Sequence, residues 1–133
     1  MLRTYLDAGV LIEAAGGKGP KAEIALTLLD DRGRVFLSCP FLDFELLPRV
    51  ILNRRPRQRL FLEEYLAGTE RTQDLDSILR VAFQEASRSP VSGIDALHVA
   101  AAHLLKADEL ITTEKPGKAI YKNTLVPVIH LEG

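Results

Sequence analysis

Apolar residues along this chain fall into two kinds of run. The first kind is short, rich in β-branched or aromatic residues and bounded by polar turns. Arg3 to Leu6 (RTYL), Arg34 to Ser38 (RVFLS), Glu109 to Thr113 (ELITT) and Val126 to Leu131 (VPVIHL) are of this kind and predict strands. The second kind has helical spacing. Leu75, Ile78, Leu79, Ala82, Phe83 and Ala86 recur so as to share one face of an amphipathic helix, whose role is packing. Lys21 to Asp31, Pro40 to about Leu52, Arg57 to Ala67 and Ser92 to about Lys106 read as further helices. Pro40 suits a first turn, Pro48 is expected to kink or shorten its helix, and Gly68 closes the one after it. The GGKGP segment before Lys21 lacks the Gly-Lys-Ser/Thr ending of a phosphate-binding loop and reads as a solvated turn before a helix. Strands separated by helices rather than by hairpins predict an α/β fold, a three-layer α/β/α sandwich around a central parallel β-sheet.

One charge breaks the pattern. TYLDAGVLIEAA, residues 4–15, sets Asp7 within apolar and small residues, where an unpaired carboxylate costs several kcal/mol to bury. Asp7 is therefore expected where the first strand ends and a helix starts. It serves there either as a cap that accepts hydrogen bonds from free helix N–H groups, or as a group at the carboxyl end of a parallel strand, where open α/β sheets bind ligands. Taken alone, the stretch reads more simply as a cap.

Composition narrows the alternatives. The 133 residues, 47% apolar and 26% charged, predict a single soluble domain spanning 1–133. No apolar run approaches a membrane span, and Arg3 and Asp7 interrupt any secretory signal, so a cytoplasmic location is expected. The one cysteine, Cys39, follows Val35-Phe36-Leu37 and reads as a small buried hydrophobe, with no Cys/His spacing for zinc. A net charge of -1 excludes nucleic-acid binding by bulk charge alone and leaves only local patches.

Four carboxylates then stand out by placement. Asp7 ends the first strand, Glu45 lies in PFLDFELL after the second, Asp95 stands near the start of SGIDALHVAAAHLL, and Glu114 ends ELITT. In a parallel sheet these places share one edge. Each acid also has a local explanation. Ser92 and Asp95 fit a capping box, Glu45 can pair with Arg49, and Glu114 can cap the segment opened by Pro116. Together they would repel unless a cation held them. Hard divalent ions such as Mg²⁺ and Mn²⁺ take oxygen ligands, activate water and stabilise charge in phosphodiester cleavage.

TYLDAGVLI, FELL, GIDALHVAAAHLL and LITTEK together resemble the PIN-domain family of metal-dependent nucleases across essentially the whole chain. The strongest likeness is DALHVAAAHLLKADELITTE, whose aspartate, small-residue helix, strand and Thr-Thr-acid ending follow the family's pattern. The resemblance implies a PIN-like fold and metal-site acids at Asp7, Glu45, Asp95 and Glu114 binding Mg²⁺ or Mn²⁺, with a hydroxyl neighbour at Thr113. Two positions depart from the pattern. Glu114 stands where the family usually has aspartate, and Gly9 stands where it often has Ser or Thr, which removes a hydroxyl contact.

Among other polar residues, Arg49, Arg54, Arg55, Arg57 and Arg59 form a cluster suited either to phosphate contact or to a solvated corner between helices. Lys115 is placed to steer a phosphate, or is simply exposed. His98, one turn after Asp95, reads as structural, His103 and His130 carry no pattern, and Asp43 is expected on a different helix face from Glu45. The leading expectation is an endoribonuclease resembling the toxin half of a toxin–antitoxin pair, acting on RNA and controlled by a cognate antitoxin. The alternative is a PIN-fold binding or regulatory module with weak or no catalysis. A phosphorelay receiver is excluded, because no acidic pair follows the first strand and no acceptor aspartate follows a middle one. A homodimer is expected from the resemblance and from Leu46, Leu47, Val50, Ile51 and Leu52, more apolar residues than one small helix needs for one core face.

Overall fold

A computed structural model describes residues 1–132. β1 (Leu2–Leu6) leads into α1 (Ala8–Gly16) and α2 (Pro20–Leu29), and β2 (Arg34–Ser38) into α3 (Pro40–Leu52) and α4 (Pro56–Ala67). β3 (Glu70–Arg71), α5 (Leu75–Ala86), α6 (Gly93–Leu104), β4 (Glu109–Thr112), a 3₁₀ turn at Ala119–Lys122 and β5 (Val128–His130) complete the order. All strand pairings are parallel, and the sheet runs β3-β2-β1-β4-β5. β1 is central, so the chain winds outward from it to one side and later to the other. That reversal makes the carboxyl ends of β1 and β4 the topological switch point, the place where open α/β sheets bind ligands.

Strand alternation builds two cores. Tyr5, Leu37 and Leu110 point to one face and pack with Ile78 and Ala82 of α5 and Ala96, Val99 and Ala100 of α6. Their chain neighbours Leu6, Phe36 and Ile111 point to the other face and meet Val10 and Leu11 of α1, Leu42 and Leu46 of α3 and Leu62 of α4. Each fully buried leucine here contributes about 1.5–3 kcal/mol of transfer free energy. The small residues of α6 let that helix lie close against the sheet.

Three details differ from the sequence reading. Pro48 does not shorten α3, which continues to Leu52; Pro48 is exposed, so water can bond the Phe44 carbonyl that its missing N–H leaves free. β3 is too short and too polar to show any alternation. The last strand begins only at Val128, after Pro127. The apolar excess of α3 is also spent differently. Leu46 is buried and Leu47 and Val50 pack on the chain's own core, which leaves Phe44, Ile51 and Leu52 exposed.

The loop before β5 is pinned from α5. Glu85 is fully buried, and its carboxylate accepts from the Thr124 N–H (2.5 Å), the Thr124 hydroxyl (2.7 Å) and Arg88 Nε (2.8 Å). Burial pushes its pKa up, but the bonds from Thr124 and Arg88 outweigh this and bring it down to about 2.

Candidate active site

Asp7 holds both of the places that the sequence left open. Its Oδ1 accepts from the Val10 N–H (3.1 Å) and caps α1, while its own N–H donates to the Ile111 carbonyl (3.1 Å) at the carboxyl end of β4. Its other oxygen, Oδ2, accepts a hydrogen bond from the Thr112 hydroxyl. Thr112 also accepts from the Glu114 N–H (3.0 Å), so one buried hydroxyl ties the first acid to the backbone of the fourth. Tyr121 bonds the Glu114 carbonyl (2.6 Å), and the Glu114 side chain is left exposed to solvent.

Charge links Asp95 to each of the other three acids. Burial raises the pKa of Asp7, and Asp95 adds to this, against hydrogen bonds from Thr112 and Val10 and the field of His98. The pKa of Asp95 is raised by desolvation, then by Glu114, and also by Glu45, with His98 opposing. Asp95 stands in the first turn of α6, exposed at the rim. The capping box expected there does not form, because Ser92 makes no side-chain cap bond and Asp95 is not used locally. Glu45 pairs with His98 rather than Arg49. Asp43 faces away and is gripped by Arg71 at 3.0 Å to each oxygen.

A chain of polar groups that spacing alone did not reveal lies beneath Glu45. His98 is buried on α6, its Nε2 bonded to Glu45 Oε1 and its Nδ1 2.5 Å from the Tyr5 hydroxyl, which in turn lies 3.3 Å from Cys39 Sγ. Burial pulls the His98 pKa down, but its contacts with Cys39 and Glu45 outweigh that and lift it to about 9. The Cys39 thiol is pulled down by His98 and Tyr5 against its own burial. The sequence read His98 as structural; its partners Glu45 and Tyr5 lie far away along the chain and gave no signal.

The predicted hydroxyl at Thr113 also has a place. A Cβ built on Gly9 would stand 2.2 Å from Thr113 Oγ1, so the Thr113 hydroxyl fills the space beside Asp7 that a side chain at position 9 would need. The hydroxyl that touches Asp7 is the neighbouring Thr112, which the sequence reading passed over.

The arginine cluster separates. Arg49 and Arg55, with Glu45, Asn53 and Gln58, line a groove of about 360 Å³ between α1, α3 and α4; Ile12, Leu46, Val50 and Leu62 are its apolar lining. Arg54 is exposed outside this groove, in a left-handed turn (φ 52), and Arg59 pairs with Glu63 at 3.3 Å. Lys115 is exposed and makes no ion pair among the described residues.

All four candidate donors are carboxylates, a set that suits a hard divalent cation, and positive charge would relieve the burial and mutual repulsion that raise Asp7 and Asp95. Among the described residues, no three His, Cys, Asp or Glu side chains stand close enough to hold one ion as positioned. Mg²⁺ asks less, since it commonly takes one or two carboxylates and fills its other positions with water or phosphate.

A five-stranded parallel sheet between helical layers, with Asp7 at the carboxyl end of its central strand, defines a three-layer α/β protein. Residues 4–120 match the family described as PIN domain, and the chain belongs to that family. Three solved structures share the fold. VapBC2 from Rickettsia felis, bound to a DNA fragment from its promoter, aligns with a TM-score of 0.75 and 13% identity over 97% of this chain and 98% of that one. A toxin–antitoxin complex from Klebsiella pneumoniae aligns at 0.69 and 16% over 96% and 97%. PAE2754 from Pyrobaculum aerophilum aligns at 0.56 and 18% over 98% and 92%. No curated protein is similar enough in sequence to match. No helix of the described residues is long and apolar enough to cross a membrane.

Proposed function

We propose that residues 1–133 work as one domain that cleaves single-stranded RNA or RNA loops by metal-dependent hydrolysis in the cytoplasm, as the toxin of a toxin–antitoxin pair. The observation that carries this reading is the placement of Asp7 at the carboxyl end of the central strand β1, with Asp95 close enough to raise its pKa and Glu45 and Glu114 close enough to raise that of Asp95. Asp7 and Asp95 would hold Mg²⁺ or Mn²⁺ at the centre, with Glu45 and Glu114 completing the oxygen donors directly or through water. The bound ion would supply an activated water and stabilise the charge that develops on the phosphate. Arg49 and Arg55 line the same groove as Glu45 and suit a phosphate backbone; Lys115 and Arg54 are solvated cations able to steer RNA from farther away. Thr113 would contact the substrate beside Asp7. Family membership and the likeness to toxin–antitoxin structures support the nuclease and antitoxin parts of the reading. A homodimer through helical faces belongs to the same proposal, with Phe44, Leu52 and Ile51 as its exposed apolar residues.

The test incubates the purified protein and its Asp7→Asn and Asp95→Asn variants with a mixed RNA pool, with Mn²⁺ and with EDTA. Cleavage confined to the parent with metal is the expected result. Cleavage that survives in the variants or in EDTA refutes the mechanism. An intact pool with every metal points instead to a PIN-fold binding module.

A further inference from the structure

Glu45 differs from the other three acids in being held by a histidine. The partner, His98, lies on α6 one helical turn after Asp95, and it is buried at 3% exposure. A carboxylate can only accept hydrogen bonds, so the proton in the His98–Glu45 contact sits on Nε2 whatever the ring's charge. The other ring nitrogen is fixed by the Tyr5 hydroxyl at 2.5 Å, and Tyr5 stands on β1 two residues before Asp7. The chain Tyr5–His98–Glu45 thus crosses from β1 through α6 to α3, the elements that carry or adjoin Asp7, Asp95 and Glu45. Buried polar chains of this kind orient the groups at their ends, because each member is packed and cannot rotate without leaving a partner unpaired. His98 is within hydrogen-bond reach of Glu45 and contacts neither Asp7 nor Asp95 directly.

We infer that His98 is a positioning residue that fixes the Glu45 carboxylate for the metal-dependent reaction, with Tyr5 locking the orientation of its ring. The inference rests on the function proposed above. His98 does not touch RNA or the ion; it sets the rotamer of Glu45 by holding Oε1, which leaves Oε2 without a hydrogen-bond partner among the described residues and available as a donor to the ion. Residues that hold a metal ligand from behind in this way typically change metal affinity or activity 10- to 100-fold when replaced. Glutamine can present an amide N–H near the position of Nε2 and is the conservative replacement; leucine fills much of the volume with no donor.

The experiment uses Mn²⁺ binding to the whole chain, measured by calorimetry and by the loss of free Mn²⁺ electron paramagnetic resonance signal, for the parent, Glu45→Gln, His98→Leu, His98→Gln and Tyr5→Phe. Long-range ¹H–¹⁵N NMR of the parent reads the protonation of the His98 ring. The expected result is Mn²⁺ affinity lowered 10- to 100-fold in His98→Leu, substantial recovery in His98→Gln, a smaller loss in Tyr5→Phe, and a ring protonated at Nε2. Thermal melts select folded variants, and His98→Gln and Tyr5→Phe keep the question open to refutation if His98→Leu fails to fold. If the parent binds Mn²⁺ and Glu45→Gln weakens it while the folded His98 and Tyr5 variants bind like the parent, the inference is overturned and the proposed function stands. A parent that binds no Mn²⁺ overturns both.

Discussion

Removing the charge of Glu85 should cost this protein a large, pH-dependent share of its stability. Its folded pKa of about 2 lies below the ordinary glutamate value of 4.5, so the charged carboxylate is bound more tightly in the fold than in the unfolded chain. The gap corresponds to roughly 3 kcal/mol, using about 1.4 kcal/mol per tenfold change. That contribution is complete above pH 4.5 and fades as pH falls toward 2; by pH 3 about 2 kcal/mol of it should be gone. Against a domain stability of about 5–15 kcal/mol, this is a substantial fraction. Urea unfolding of the parent and Glu85→Gln at several pH values between 7 and 3 isolates the effect, since other carboxylates titrate alike in both proteins. The difference between the two should be near 3 kcal/mol at neutral pH and should shrink steadily below pH 4.5. A difference that stays constant with pH, or a variant as stable as the parent at pH 7, would refute the role given to the Thr124 and Arg88 contacts.

Further outcomes follow from other contacts. Gly9→Ala should destabilise by about 1–2 kcal/mol through overpacking against Thr113, and adding Thr113→Ala should recover most of that loss in a double-mutant cycle read by denaturant melts. Tyr65→Phe should stabilise by about 1 kcal/mol in thermal unfolding, because the buried Tyr65 hydroxyl has no hydrogen-bond partner among the described residues while its ring contact with Phe36 is kept. With cleavage blocked by Asp7→Asn, fluorescence anisotropy on single-stranded RNA should give a log–log salt slope that falls by about 0.7 for each of Arg49→Gln and Arg55→Gln and stays nearly unchanged for Arg59→Gln, which is paired with Glu63.

The fold was legible where burial imposes periodicity. Tyr5, Leu6, Leu37, Leu110 and Ile111 sit in buried strands, and their apolar runs marked β1, β2 and β4. β3 was not legible, since Glu70 and Arg71 join the sheet through backbone pairing and polar contacts with Arg3, Ser38 and Asp43 and carry no apolar signature. The four acids were legible as candidates because a charge beside or within an apolar run is costly without a reason. What held them was not. His98, Tyr5 and Thr112 act through contacts between residues far apart in sequence, which no spacing along a single chain encodes. The arginines were legible as a group but not individually, since Arg49 and Arg55 are separated from Arg54 and Arg59 only by how the α3–α4 corner turns.

The sheet's outer strands have a consequence for assembly. β3 offers two residues and β5 three, β3 is braced by Arg3–Glu70 and Arg71–Asp43 ion pairs, and Pro127 precedes β5. A neighbouring molecule seeking to continue the sheet would find too few free backbone groups to nucleate a lasting strand pairing. Growth edge to edge is thereby discouraged, and recruitment of another chain falls to helix surfaces, such as the exposed Phe44 and Leu52 on α3 or Leu79 and Phe83 on α5. Self-association by this protein should therefore leave its strand count unchanged, a distinction that infrared spectra of the amide band can follow as concentration rises.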